Sequence, residues 1–275
     1  TRGSTEAIDV AIRTFCIPNK DGILVFPPTF EMYKFYAEVQ GIEMHSILLD
    51  QDNKYSLDLK ALEAFDPSKA KLTFICSPSN PLGHKFSKES IYRVCEYFSD
   101  SGLVVLDGAY VEFDSDEVYR EILSKFDNVI ILRTLSKAFG LAGVRCGVLI
   151  SSDEICQYIE RVIPPYSFST PAVNAVIESL SDEGIKESKR NIETIIEDRR
   201  WLETELESLD EVIEVFPSYT NFILIKVNDA KAFCKKSQDL GFLLRDVSYQ
   251  PLLENCVRIT VGTTEQNQKL IRGLK

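Results

Sequence analysis

One lysine, Lys137, stands where an amine nucleophile is chemically useful. It lies in Arg133-Thr-Leu-Ser-Lys-Ala-Phe-Gly-Leu-Ala-Gly-Val-Arg-Cys-Gly147, directly after the apolar run Asn128-Val-Ile-Ile-Leu132. Arg145 follows eight residues later, between Gly143 and Gly147. An anion site needs hydroxyl donors, a fixed cation and close backbone approach. Thr134, Ser136, Arg145 and the two glycines supply them. A lysine held beside such a site in a semi-apolar loop suits covalent chemistry with a phosphorylated carbonyl compound. The plain alternative is a surface loop with a solvated lysine. Thr-x-Ser-Lys joined to Gly-x-Arg-x-Gly at this spacing weighs against it.

Other groups fit the same chemistry. Gly102-Leu-Val-Val-Leu-Asp107 places a carboxylate at the carboxyl end of a buried strand, where it needs a partner. A protonated ring nitrogen is such a partner, and the pair makes the ring a stronger electron sink. Strand-end aspartates are often structural; Tyr110, three residues on, and Lys137 make this one specific. Asn80 sits in Ser77-Pro-Ser-Asn-Pro-Leu-Gly83, where rigid backbone suits an amide that hydrogen-bonds a ring oxygen, or simply a Pro-rich turn. Thr1-Arg-Gly-Ser-Thr-Glu6 reads as a turn into a helix, with Ser4 or Thr5 as cap and an anion site at the helix start. After Pro27-Pro28, either Phe30 or Tyr33 can stack on a planar ring. Arg258, within Cys256–Gly262, either alternates outward or hooks an anion in a cleft, and Arg245 is a second candidate hook.

The elements that position these groups alternate. Strands are expected at 22–26, 43–49, 71–76, 102–107, 128–132 and 146–150, with helices after the Ser4 or Thr5 cap (apolar face Ala7 to Phe15), at 31–40, at 57–65, after Ser87, at 153–162 and at 171–180. A long amphipathic helix over 185–209 leads into strands at 212–216, 221–227 and 256–262 and helices near 229–239 and 264–274. This order predicts an α/β fold: a mostly parallel central sheet sandwiched by helices, with a smaller α/β C-terminal domain. The expected division is a large domain over 1–184 and a small one over 185–275.

Composition narrows the function class. A net charge of −11 with no compensating basic stripe argues against nucleic acid, so any anion site is local. The seven cysteines form no CxxC pair and read as reduced thiols of a cytoplasmic protein. With two distant histidines, no zinc site is expected. No apolar run is long enough to span a bilayer, and no signal peptide is visible.

Taken together, Arg2-Gly3, Pro-Pro-Thr-Phe-x-Met-Tyr, Asn-Pro-x-Gly, Asp107-x-x-Tyr110, the lysine stretch and Val257-Arg-Ile-Thr-Val-Gly-Thr263 resemble the pyridoxal-phosphate aminotransferases of fold type I, and among them the histidinol-phosphate aminotransferase group. The resemblance covers essentially the whole chain. It implies that Lys137 binds pyridoxal 5'-phosphate covalently and that Asp107 keeps the ring nitrogen protonated. Asn80 and Tyr110 hydrogen-bond the ring oxygen, and Phe30 covers a ring face where the group usually has tyrosine. Ser4, Thr5, Thr134, Ser136 and Arg145 hold the phosphate, and Arg245 and Arg258 bind substrate anions. The implied reaction joins L-histidinol phosphate with 2-oxoglutarate, reversibly giving imidazole-acetol phosphate and glutamate, in a homodimer. The group usually reads Asp-Glu-Ala-Tyr where this chain has Asp-Gly-Ala-Tyr. The group also carries an N-terminal segment before the position of Thr1 that closes the substrate pocket and lends a tyrosine to the neighbouring subunit; a chain without it is expected to turn over weakly or not at all. Alternatives are an aromatic amino acid aminotransferase, a phosphothreonine decarboxylase, and a non-catalytic binding protein on the same fold.

Overall fold

The computed structural model describes residues 1–114 and 118–275. Six strands form the first sheet: β1 (Gly22–Val25), β2 (Glu43–Ser46), β3 (Leu72–Cys76), β4 (Leu103–Asp107), β5 (Val129–Thr134) and β6 (Gly147–Ile150). Their order is β2-β1-β3-β4-β5-β6, parallel except for the antiparallel edge strand β6. Central strands buried on both faces are mostly apolar: β1 is apolar throughout, and β3 and β4 depart from this only at Thr73 and Asp107.

Alternate residues of each strand serve opposite faces. Ile23, Phe74, Val105 and Ile130 pack against α1 (Ser4–Phe15), α2 (Met32–Val39) and, later in the chain, Asp153–Glu160. Leu24, Ile75, Leu106 and Ile131 pack against α3 (Leu59–Ala64), α4 (Lys88–Tyr97) and α5 (Val118–Lys125). Ser87 caps α4 by accepting from Ser90 N–H, a device worth ~1 kcal/mol.

The helix at Asp153–Glu160 is α6; α7 (Thr170–Ser179) and the 26-residue α8 (Asp182–Glu207) follow. The second sheet is antiparallel, in the order β7-β8-β10-β9, from β7 (Val212–Val215), β8 (Phe222–Val227), β9 (Arg245–Asp246) and β10 (Cys256–Thr260). With α8, α9 (Ala230–Asp239) and α10 (Thr264–Leu274) it buries its own core around Leu202, Ile223, Ile225 and Val257. The two sheets meet over the first: Phe216, Leu224 and Leu253 join the cluster that includes Leu24 and Phe86.

The expected elements are present within a few residues. Two were not anticipated. Helix α5 is only two turns long, with Val118, Tyr119, Ile122 and Leu123 on one face, and β9 is two residues long. All seven cysteines are free, four of them buried. Among the described residues, no helix is long and apolar enough to cross a membrane.

Candidate active site

The carboxyl ends of β3, β4 and β5 bring the chemistry together, as expected for an open α/β sheet. Asp107 closes β4, beside Cys76 of β3 and Leu132 of β5 in register. Its carboxylate is 2% exposed. Oδ2 accepts from the Tyr33 hydroxyl at 2.8 Å and Oδ1 from the Ala109 N–H at 3.1 Å. Burial pushes the Asp107 pKa up, against those two hydrogen bonds and the charge of Lys137.

Lys137 follows β5 in the next turn. Its Nζ lies 5.4 Å from the centre of the Tyr110 ring. Burial and then Arg258 hold its pKa below the usual lysine range, with Arg145 adding to them and Asp107 opposing. Tyr110 is itself buried and packs edge-on against Phe222 at 5.3 Å. Asn80, just beyond β3, accepts at Oδ1 from Arg258 Nη1 at 2.7 Å. Arg258 lies over the Phe222 ring at 4.9 Å, and its Nε is buried without a hydrogen-bond partner. Of the two sequence readings of Arg258, the inward one describes its place.

The other end of the site is an anion cradle. Gly3 is the N-cap of α1, at φ 81°, and no side chain caps the helix. The expected cap at Ser4 or Thr5 is therefore corrected: both lie inside the first turn. A glycine N-cap leaves the first amides open to an anion. Arg145, in the left-handed region at φ 58°, donates from Nη2 to Thr5 Oγ1 at 3.2 Å and from Nη1 to Ser136 Oγ at 3.4 Å. Thr134 Oγ1 donates to Ser136 Oγ at 3.0 Å. Gly147 lets β6 touch the helix start: a Cβ there would lie 2.5 Å from the Gly3 carbonyl carbon.

A cavity of about 240 Å³ is lined by every side chain singled out from the sequence except Tyr33 and Arg245. It gathers three cations, Lys137, Arg145 and Arg258, and one carboxylate, Asp107, in a protein of net charge −11. A larger groove of about 770 Å³ lies at the opposite ends of the strands, with lysines and acids intermixed and nothing convergent. Phe30 lines the small cavity, whereas Tyr33 is fully buried and stacked on Phe74 at 4.7 Å. Arg245 is exposed on β9, directly opposite Arg258 on β10. It donates to the Tyr249 hydroxyl at 3.4 Å, and Tyr249 donates to Glu31 at 2.8 Å.

Sequence reasoning passed over Cys76 and Ala109, which also line the cavity, and the Tyr33–Asp107 pair. The structure accounts for Gly108. A Cβ there would lie 2.9 Å from Tyr119 Cε1, so the Tyr119 ring of α5 occupies the space a longer residue 108 would need. Asp107 and Tyr110 keep their places. Chemically, the arrangement offers a partly desolvated amine, a buried carboxylate, an anion cradle and a further cation across a small cavity.

The model of the aminotransferase class I and II family matches residues 1–274. The chain belongs to this family. The aminotransferase is 38% identical over all 275 residues to a histidinol-phosphate aminotransferase of Pectobacterium carotovorum and covers 76% of it. Among solved structures it is similar to the histidinol-phosphate aminotransferase of Clostridium acetobutylicum, with a TM-score of 0.89 and 23% identity over 99% of this chain and 81% of that one. It is also similar to that of Sinorhizobium meliloti in complex with pyridoxal 5'-phosphate, with a TM-score of 0.86 and 23% identity over 99% of this chain and 74% of that one. At that identity the two structures establish the fold, a mostly parallel sheet between helices.

Proposed function

We propose that this aminotransferase interconverts L-histidinol phosphate and imidazole-acetol phosphate, with glutamate and 2-oxoglutarate as the second pair, in histidine biosynthesis. The observation that carries the reading is the 38% identity along the whole chain to a histidinol-phosphate aminotransferase. The cofactor in this reading is pyridoxal 5'-phosphate, and the site fits it: an uncapped helix start beside Arg145 for a phosphate, a buried acceptor for a ring N–H, and a desolvated amine. When bound, the cofactor supplies a carbonyl carbon that takes the amino group and a pyridinium ring that draws electrons from the substrate.

The chain's residues then divide the work. The amides of Ser4 and Thr5, with Thr134, Ser136 and Arg145, hold the phosphate. Asp107 would keep a proton on the ring nitrogen, Asn80 and Tyr110 would orient the ring oxygen, and Phe30 would cover a ring face. Lys137 would hold the cofactor through its amine, and the same amine would move the proton at the substrate carbon. Its lowered pKa favours the neutral amine this task requires. Arg258 and Arg245 take substrate phosphate in one half-reaction and the glutamate carboxylate in the other. The hydrogen bond from Arg258 uses the Asn80 Oδ1, which leaves the Asn80 NH2 group to donate to the ring oxygen.

The same proposal includes a homodimer in the cytoplasm and the division into a large domain over 1–184 and a small one over 185–275, which the two sheets support. The test is turnover by the purified chain supplied with pyridoxal phosphate, histidinol phosphate and 2-oxoglutarate. Glutamate formation that outpaces the same reaction with phenylalanine is expected. Preference for phenylalanine, or carbon dioxide release from phosphothreonine, overturns the substrate assignment.

A further inference from the structure

We propose that Tyr33 is a positioning residue for this reaction, fixing the Asp107 carboxylate by donating a hydrogen bond to Oδ2 and so holding it as an acceptor toward the cavity. The proposal rests on the reading of Asp107 as the ring-nitrogen partner. The carboxylate has two donors among the described residues, the Tyr33 hydroxyl at 2.8 Å and the Ala109 N–H at 3.1 Å. One comes from its own strand end. The other comes from α2, 74 residues away. Each donor uses one acceptor position on one oxygen, which leaves capacity for a ring N–H.

The hydroxyl has little freedom to leave. Tyr33 is 0% exposed, lies flat on Phe74 at 4.7 Å and meets the edge of Phe30 at 5.7 Å. Two functions thus share one anchor, because Phe30 also lines the cavity. The groups facing Asp107 from the other elements are Cys76 of β3, Tyr119 of α5, and Tyr110 and Lys137 from the loops after β4 and β5. Burial pushes Cys76, Tyr110 and Tyr119 up, so each stays neutral. Among the described residues, Lys137 is the one that brings positive charge to Asp107. Tyr33 is also pushed up, which keeps its proton on the donating oxygen. Without that hydroxyl, burial would favour the protonated, neutral Asp107, which no longer holds a proton on the cofactor ring.

The test uses the cofactor-free protein first. Infrared difference spectra against pH follow the carbonyl band of protonated Asp107, assigned by its absence in Asp107→Asn. Tyr33→Phe is expected to raise the midpoint of that band by ~1–2 pH units, roughly a ten- to hundred-fold gain in proton affinity. Pyridoxal phosphate is then titrated in, and its dissociation constant is expected to rise by roughly ten-fold. A loss of thermal stability with an unmoved carbonyl midpoint overturns the proposal and leaves Tyr33 a packing residue. A moved midpoint with unchanged cofactor affinity instead overturns the reading of Asp107 as the ring-nitrogen partner, and with it the role given to Tyr33. Should Tyr33→Phe fail to fold, ring-deuterated tyrosine in the otherwise native chain reports the same pair. Its C–O stretch at Tyr33 is expected to shift in Asp107→Asn, and an unshifted band overturns the proposal.

Discussion

Adding one methyl group at Gly147 tests whether the anion cradle depends on α1 lying hard against β6. A Cβ at this position would lie 2.5 Å from Gly3 C, 2.7 Å from Ser4 N and 2.8 Å from Gly3 Cα. All three are backbone atoms, so no rotamer relieves the contact. The segments are also tied by two hydrogen bonds, from Thr1 N to Gly147 O at 3.0 Å and from Gly147 N to Thr1 O at 2.8 Å. Ordinary carbon contacts lie at ~3.5–4 Å, so the helix start must retreat by roughly 1 Å. Overpacking of this kind costs ~1–3 kcal/mol. At ~2–4 °C per kcal/mol, Gly147→Ala should lower Tm by about 2–12 °C. The retreat also draws the Ser4 and Thr5 amides away from a bound phosphate, and losing one charge-assisted hydrogen bond weakens pyridoxal phosphate binding by roughly ten-fold or more. Gly143→Ala is the matched control, because a Cβ there meets nothing within 4 Å. It should stay within ~0.5 kcal/mol of the parent chain. Scanning calorimetry and a cofactor titration compare the three proteins. If Gly147→Ala and Gly143→Ala behave alike, the close approach does not build the cradle.

Gly108→Glu should destabilise the protein by ~1–3 kcal/mol through contact with Tyr119, and Tyr119→Ala in the same chain should tolerate the added residue better; urea unfolding of the single and double variants checks this. The lowered pKa of Lys137 has a stability consequence. Between its folded pKa and the ordinary lysine value the unfolded chain binds more protons, so this group's contribution to stability rises with pH. Cofactor-free Lys137→Met should therefore be more stable than the parent at neutral pH, with the advantage shrinking as the pH approaches 10.5; unfolding series at several pH values measure it. His84, held at about 4 by burial with its Nδ1 enclosed and unpartnered, is neutral in the folded state. As pH falls from 6.5 toward 4 the unfolded chain takes up the proton first, so stability should fall by roughly 2–3 kcal/mol over that window, and His84→Gln should flatten the decline.

Much of the site was legible because its chemistry sits where apolar runs stop. Asp107 ends β4, Asn80 follows β3, and Lys137 follows β5, so a reader who finds the strands also finds the edge where these groups meet. The position of Arg258 was only half legible. Alternation along a strand identifies two faces, but not which one looks into a cavity. What escaped was contact between distant segments. A buried tyrosine hydroxyl and a buried carboxylate each need a partner, yet nothing local pairs Tyr33 with Asp107 across 74 residues. The fit of the Tyr119 ring over Gly108 is of the same kind, since it depends on where the two-turn helix α5 packs against β5. The cap of α1 was misread because serine and threonine are the usual N-cap residues, whereas here a glycine at φ 81° takes that place.

The most direct test of the account is an absorbance spectrum of the purified protein with pyridoxal phosphate, set beside Lys137→Ala, before and after histidinol phosphate is added. The account predicts a visible band that requires Lys137 and is bleached by histidinol phosphate. A band that persists in Lys137→Ala, or no band in either protein, would contradict the assignment of Lys137 as the cofactor-binding amine. A Lys137-dependent band that histidinol phosphate leaves unchanged would contradict the proposed substrate.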